Sequence, residues 1–158
     1  MRGKRSGTGA ALLAGGLAAA GLAFAPTAVA VTPQAAAITA NCGVFGGGAA
    51  TLTAAQDGTA ATLTLTSTAI TAPLALGQDT ISSTLTLVKP DGTATAFTGT
   101  RNPAMAVGDP VTVGPLDGTV ASGDSLEAYG GSLRMTVFGI PITCRATGPQ
   151  SPGPFVFD

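Results

Sequence analysis

The side chains able to do chemistry in this 158-residue chain are few: two cysteines, one glutamate, seven aspartates and no histidine. Without histidine, the Ser-His and Cys-His pairs that activate a nucleophile cannot be built. Cys42 and Cys144 are isolated in sequence, with no C-x-x-C for dithiol exchange and no imidazole to complete an ordinary zinc site. A two-carboxylate glycosidase would have to draw on Glu127, Asp124, Asp109 or Asp79. Most aspartates, however, adjoin Gly or Pro, the setting of exposed turn residues. The Gly-x-Asp corners offer oxygen ligands for calcium but not the dense carboxylate spacing of a calcium loop. Gly46-Gly47-Gly48 lacks the strand–glycine loop–helix setting of a phosphate cradle and reads as a loop. The expectation is a non-enzyme with no catalytic, cofactor-binding or metal-ligating residue.

What the cysteines do depends on where the chain goes. Arg2, Lys4 and Arg5 form a basic start, Ala10 to Ala25 an apolar run, and Ala28-Val29-Ala30 supplies the small residues a signal peptidase accepts. The run is sixteen residues of mostly Ala, Gly and Leu, short of the roughly 20 that a spanning helix needs. The pattern predicts a signal peptide over 1–30, with Ala35-Ala36-Ala37 as an alternative cleavage site. There is no twin-arginine pair, and Cys42, preceded by Asn41, does not fit a lipid-modified cysteine. Export favours thiol oxidation, so an even cysteine count implies a bridge between Cys42 and Cys144.

Alternation places those cysteines on strands. Leu133, Met135 and Val137 share one face; after Gly139 the apolar set shifts by one, to Ile140, Ile142 and Cys144. A glycine where parity flips predicts a bulge or tight turn that returns both halves to one core. Ile38, Ala40, Cys42 and Val44 form a matching row, so both cysteines are predicted to face inward. Between them, Ala49 to Ala55 and Thr59 to Ser67 alternate around Gln56-Asp57-Gly58-Thr59, a hairpin signal. Thr80 to Val88 puts Ile81, Leu85 and Leu87 on one face. Thr93–Thr98, Val111–Val113, Thr119–Ser122 and Leu126–Tyr129 complete the set, and Pro103, Pro110 and Pro115 mark an edge or a corner crossing.

Asp-Gly-Thr recurs at 57, 91 and 117, and Pro73-Leu74-Ala75-Leu76-Gly77-Gln78-Asp79 is echoed by Pro103-Ala104-Met105-Ala106-Val107-Gly108-Asp109. These are traces of an internal duplication or, more simply, one turn chemistry used again. The fold class expected is all-β: an immunoglobulin-like antiparallel sandwich of about eight or nine short strands, preceded by a signal peptide helix. The domain is placed at 38–147, after a linker at 31–37 and before a Pro/Gly-rich tail at 148–158.

Composition narrows the partners. Only 9% of residues are charged, against roughly 25% in ordinary soluble domains, so a Thr- and Ser-rich surface must supply solubility. Beyond the signal the chain has four basic and eight acidic residues. A net −4 gives no electrostatic footing for nucleic acid, and no stable membrane insertion is expected once the signal is removed. The expected role is a secreted structural or binding module of the cell exterior or wall, with Tyr129, Phe155 and Phe157 as the interaction surface. The alternative is a small-molecule carrier.

Two families resemble this plan. The signal ending Ala28-Val29-Ala30, the opening Asn41-Cys42, the central Pro-x-x-x-Gly-x-Asp and the closing Ile142-Thr143-Cys144 resemble small secreted actinobacterial β-sandwich domains, over about Ile38 to Arg145. The Ala/Gly/Thr-rich, acidic, cysteine-bridged chain is also similar to neocarzinostatin-type apoproteins, immunoglobulin-like carriers of a small ligand. That family has two short-loop disulfides where this chain has one long-range pair, so no ligand-binding residue is carried over from it.

Overall fold

Alternation of apolar and hydroxyl-bearing residues makes most of the described residues strand. The computed structural model describes residues 31–158; the signal-peptide reading of 1–30 lies outside the described residues. The strands are β1 (Val31–Thr32), β2 (Ala35–Asn41), β3 (Gly47–Asp57), β4 (Ala60–Thr71), β5 (Ser82–Val88), β6 (Ala94–Thr100), β7 (Pro110–Thr119), β8 (Ser125–Val137), β9 (Ile140–Ala146) and β10 (Phe155–Phe157). One 3-10 turn, Gly43–Phe45, follows β2. Among the described residues no helix is long and apolar enough to cross a membrane.

All pairings between strands are antiparallel. The expectation of two facing sheets is modified at this point. The ladder runs β8-β5-β6-β7-β4-β3-β2-β9 and returns to β8, so eight strands close into a barrel, while β10 and then β1 extend from the first half of β8. Two joints in the ring are thin: β6 meets β7 only at Thr98↔Asp117, and β2 meets β9 only at Ala40↔Ala146 and Asn41↔Arg145.

A bulge in β7 lets the ring close. Leu63 pairs with Leu116 and Leu65 with Val113, so Gly114 and Pro115 together oppose the single residue Thr64. The extra residue bends the strand, as bulges at barrel rims do. Gly114 takes φ +113°, and its N–H leaves the ladder to bond Arg101 O at the end of β6, 2.7 Å away. Any side chain here would meet Leu63 O at 2.7 Å. Of the three prolines expected to mark an edge or a corner crossing, Pro115 lies in this bulge, Pro110 opens β7 and Pro103 lies in the connection before it.

The third Asp-Gly-Thr, expected as a turn, lies inside β7 instead, because Phe97 of β6 packs flat over Gly118. A tertiary contact overrides the local turn preference. The first motif is a hairpin, with Gly58-Thr59 as the two-residue loop and Asp57 still paired with Ala60. The 133–144 stretch is also a hairpin: Val137↔Ile140, Met135↔Ile142 and Leu133↔Cys144 face each other across a turn at Phe138-Gly139. Phe138 takes φ +49° there, a left-handed conformation uncommon for an aromatic residue.

Both ends of the expected domain are redrawn. Residues 31–37 are no linker: Ala36 continues the inward row of Ile38, Ala40 and Cys42, Ala35–Ala37 pair with β3, and Val31 is buried against β10. The tail at 148–158 docks: Phe155 and Phe157 alternate around Val156 as a strand, pair with β8 and β1, and are completely buried. Burying each phenylalanine contributes about 1.5–3 kcal/mol. Gln56 Nε2 donates to Asp158 O at 2.6 Å and Asp158 N to Gln56 Oε1 at 3.1 Å, tying the last residue to the end of β3. The C-terminus therefore plugs the base of the barrel, and the central core of Leu52, Leu63, Leu87, Phe97, Leu116 and Leu126 lies above it.

Candidate functional site

The end of the barrel opposite that plug is open. The far ends of β2, β4 and β8 and the starts of β7 and β9 converge there, joined by the 3-10 turn and by the β4–β5 connection. They surround a cavity of about 450 Å³, within the roughly 300–1,000 Å³ of small-molecule sites. The deep wall is aliphatic: Ile81, Val111, Met135, Val137 and Ile142, with Cys42 of the disulfide beside them. Among the lining residues only Thr71 carries a hydroxyl, and none is ionisable apart from the bridged Cys42.

The rim is apolar as well, and exposed. Val44 on the 3-10 turn is 97% exposed and Phe138 at the β8–β9 hairpin is 65% exposed, with Phe45, Leu74 and Ile140 also open to solvent. Single exposed apolar residues need no explanation, but a group of five around one opening marks a binding surface. Phe45 and Phe138 come from different segments and present two aromatic rings to the same mouth.

One side of the mouth is held by a residue that sequence reasoning passed over. The echoing segments 73–79 and 103–109 pair with each other, Leu76 N–H donating to Met105 O and Met105 N–H to Leu76 O. Behind them Asn102, 3% exposed, uses its whole amide. Its Oδ1 accepts from Thr80 N and Ile81 N, and its Nδ2 donates to Gly77 O and Pro103 O, all at 2.7–2.9 Å. Every site on the side chain is used, so the connection carrying Leu74, Leu76 and Ile81 is fixed as a wall. Asn102-Pro103, directly before the 103–109 echo, was the available signal.

The residues singled out from the sequence fall in different places. Cys42 and Cys144 are joined, 102 residues apart in sequence, as expected. Phe155 and Phe157 are core residues of the base, so they cannot form the expected interaction surface; pairing of the tail with β8 turned both rings inward. Tyr129 is exposed, but it lies on the half of β8 away from the mouth and is not brought near the cavity. Val44, expected on the inward row, turns out to solvent because the chain leaves the strand at Gly43.

Asp109 and Asp124, two of the carboxylates considered for catalysis, serve their own turns, as does Asp91. Asp109 Oδ2 accepts from Ala106 N at 2.7 Å, Asp124 Oδ2 from Ala121 N at 2.9 Å and Asp91 Oδ1 from Thr93 N at 2.8 Å. Glu127 Oε1 accepts from Tyr129 N and Gln150 N, clipping the C-terminal segment to β8. Asp124 also pairs with Lys89 Nζ at 2.7 Å, and that cation, followed by the Ala121 N–H, holds its carboxyl below the ordinary range. The hydroxyl and amide of Thr93 lower Asp91 similarly. Among the described residues no three Cys, Asp or Glu come together to hold a metal ion.

No protein-family model matches the chain, and no curated protein or solved structure matches it either. The functional reading therefore rests on the cavity and the sequence.

Proposed function

We propose that this chain is an exported binding module that carries a small, uncharged, apolar molecule in the mouth of its barrel. The cavity of about 450 Å³ is the observation that carries the reading. It is walled by aliphatic side chains, ringed by exposed Val44, Phe45 and Phe138, and held open by a covalent bridge and a fully bonded asparagine. An apolar ligand entering it would remove both the walls and much of the rim from water, at about 25 cal/mol per Å². An ionised ligand would find no charged partner there and would keep its desolvation cost.

Export is supported by the basic, apolar and small-residue segments of 1–30 and by a disulfide of the kind that persists in oxidising surroundings. Cleavage after Ala30 would leave Val31 as the first residue, and Val31 is the residue that pairs with Phe157 at the base. The two thin joints divide the ring into β2-β3-β4-β7 and β9-β8-β5-β6 halves, which supports an immunoglobulin-like ancestry for the barrel. The lysine-poor, Ala/Gly/Thr-rich composition supports an actinobacterial source. The reading assigns no catalytic step to any residue.

The test is titration of residues 31–158 with Nile red, a neutral apolar dye, against the variant Ile142→Trp, which fills the mouth. Saturable one-to-one binding by wild type, reduced at least ten-fold in the variant, is the expected result. Equal, non-saturating fluorescence for both would reject the site. Recovery of the protein on peptidoglycan without dye binding would favour a wall module instead.

A further inference from the structure

Eight large apolar side chains are exposed among the described residues, and six of them gather at the open end of the barrel. Val44 and Phe45 come from the 3-10 turn, Leu74 from the β4–β5 connection, and Phe138 and Ile140 from the β8–β9 hairpin. Val107 is the sixth, on the segment that pairs with Leu76 of the cavity wall. The sides of the barrel are different: β3 and β4 turn Thr51, Thr53, Thr64 and Thr66 outward. The exposed apolar surface is therefore a tip, not the outward band with which a barrel spans a bilayer.

Charge is divided along the same axis. Asp57, Asp91, Asp117, Asp124, Glu127 and Asp158 lie toward the plugged base, where Lys89 is the one cation, a net −5. Arg101, Arg134 and Arg145 lie on the mouth half with Asp79 and Asp109, a net +1. Arg101 reaches back to Asp117 at 3.7 Å, and Asp109 is engaged by Ala106 N. Arg134 and Arg145 are exposed, and among the described residues neither has an ion-pair partner. Arg134 pairs with Thr143, two residues before Arg145, so both arginines share the outer face of the β8–β9 hairpin. Four residues, about 13 Å of strand, separate Arg134 from Phe138 at the tip.

We propose that the open end of the barrel docks on a lipid bilayer bearing anionic headgroups. The rim enters the acyl boundary, to about 5–10 Å as apolar faces do at such surfaces, and Arg134 and Arg145 then stand at the level of the phosphates. The acidic base points away, which fixes the orientation. A protein partner is less well matched, since interfaces between proteins carry a hydrogen bond per 100–200 Å² and the mouth offers one hydroxyl, Thr71. The docking surface shares its rim with the carrier reading and deepens it, because an apolar ligand would pass from hydrocarbon into the cavity without crossing water.

The experiment is flotation of residues 31–158 with vesicles of phosphatidylcholine alone and of phosphatidylcholine mixed with phosphatidylglycerol. Wild type should float with the mixed vesicles and less with the neutral ones. Phe138→Ser and Val44→Ser should each weaken binding about ten-fold, the scale of losing one buried apolar side chain. Arg134→Gln and Arg145→Gln should each weaken it about five-fold on the mixed vesicles only, with thermal midpoints confirming that all four variants fold. Ile142→Trp, which fills the cavity behind the rim, should lose Nile red and still float. Wild type that binds the dye but stays with the soluble fraction would overturn the docking surface and leave the carrier reading in place. Flotation without dye binding would support the surface and overturn the carrier. A wild-type dimer in sedimentation that Phe138→Ser dissociates would also overturn the proposal, by giving the rim to a second copy.

Discussion

Cys42 and Cys144 are joined on the rung directly beyond Asn41↔Arg145, where the hydrogen bonds between β2 and β9 stop. The bridge takes over the closure of the barrel at the point where the ladder gives out. Cys42 also faces the cavity, and the next residues, Val44 and Phe45, form its rim. The disulfide is thus both a fold constraint and part of the wall.

Replacing the pair by alanine should accordingly cost about 2–5 kcal/mol of stability, measured by denaturant unfolding. The larger local effect should fall at the mouth, with faster amide exchange over 42–47 and 140–146 than at the plugged base. Unreduced native protein should take up no thiol label and should gain the mass of two hydrogens on reduction. Labelling of either cysteine before reduction would contradict the bridge.

Phe138 is held left-handed at the tip of the β8–β9 hairpin, where glycine is the natural occupant. Phe138→Gly should relieve that strain and leave the protein equally stable or up to about 1 kcal/mol more stable. The same change should weaken dye binding, because it removes one of the two rim aromatics. Opposite signs from a single substitution would identify Phe138 as a residue placed for binding. A parallel loss of stability and affinity would make it merely structural.

Asn102→Ala removes four hydrogen bonds at once and leaves buried partners unpaired. A cost of about 2–4 kcal/mol is expected. Hydrogen exchange should show the loss concentrated in 76–81 and 103–109, since those two segments pair through Leu76 and Met105 and share this one clamp. Uniform destabilisation across all strands would contradict the clamp.

The strands and the bridge were legible because they depend on local alternation. Leu63 and Leu65 against Thr62, Thr64 and Thr66, or Ile38, Ala40 and Cys42 in one row, declare which face is buried before any partner is known. The closure and the cavity were not legible, for a physical reason. Gly118 reads as a turn until Phe97 is known to lie over it, and Phe155 and Phe157 read as surface until the tail is known to pair with β8. The mouth draws its lining from segments spread between residues 42 and 142, and no spacing in the sequence brings them together.

Acid should loosen the base of the barrel. Lys89 and the Ala121 N–H depress the folded pKa of Asp124 below the ordinary 3.8. A depressed folded value contributes stability that is fully present above the unfolded pKa and is lost as pH falls through the folded one. Asp124 O also accepts from Phe157 N, so the turn it organises anchors β10. Asp124→Asn should therefore cost no more than about 1 kcal/mol at pH 7, the pair being near the surface. The difference from wild type should vanish well below pH 3.8. A deficit that persists undiminished at the acid end would mean that the charge is not its source.

The most direct test of the central claim is native mass spectrometry of residues 31–158 offered an equimolar set of neutral apolar compounds. The cavity account predicts a one-to-one complex with a mostly hydrocarbon compound, formed by wild type and lost in Ile142→Trp. A spectrum holding only the ligand-free mass, or the same adducts on both proteins, would contradict it.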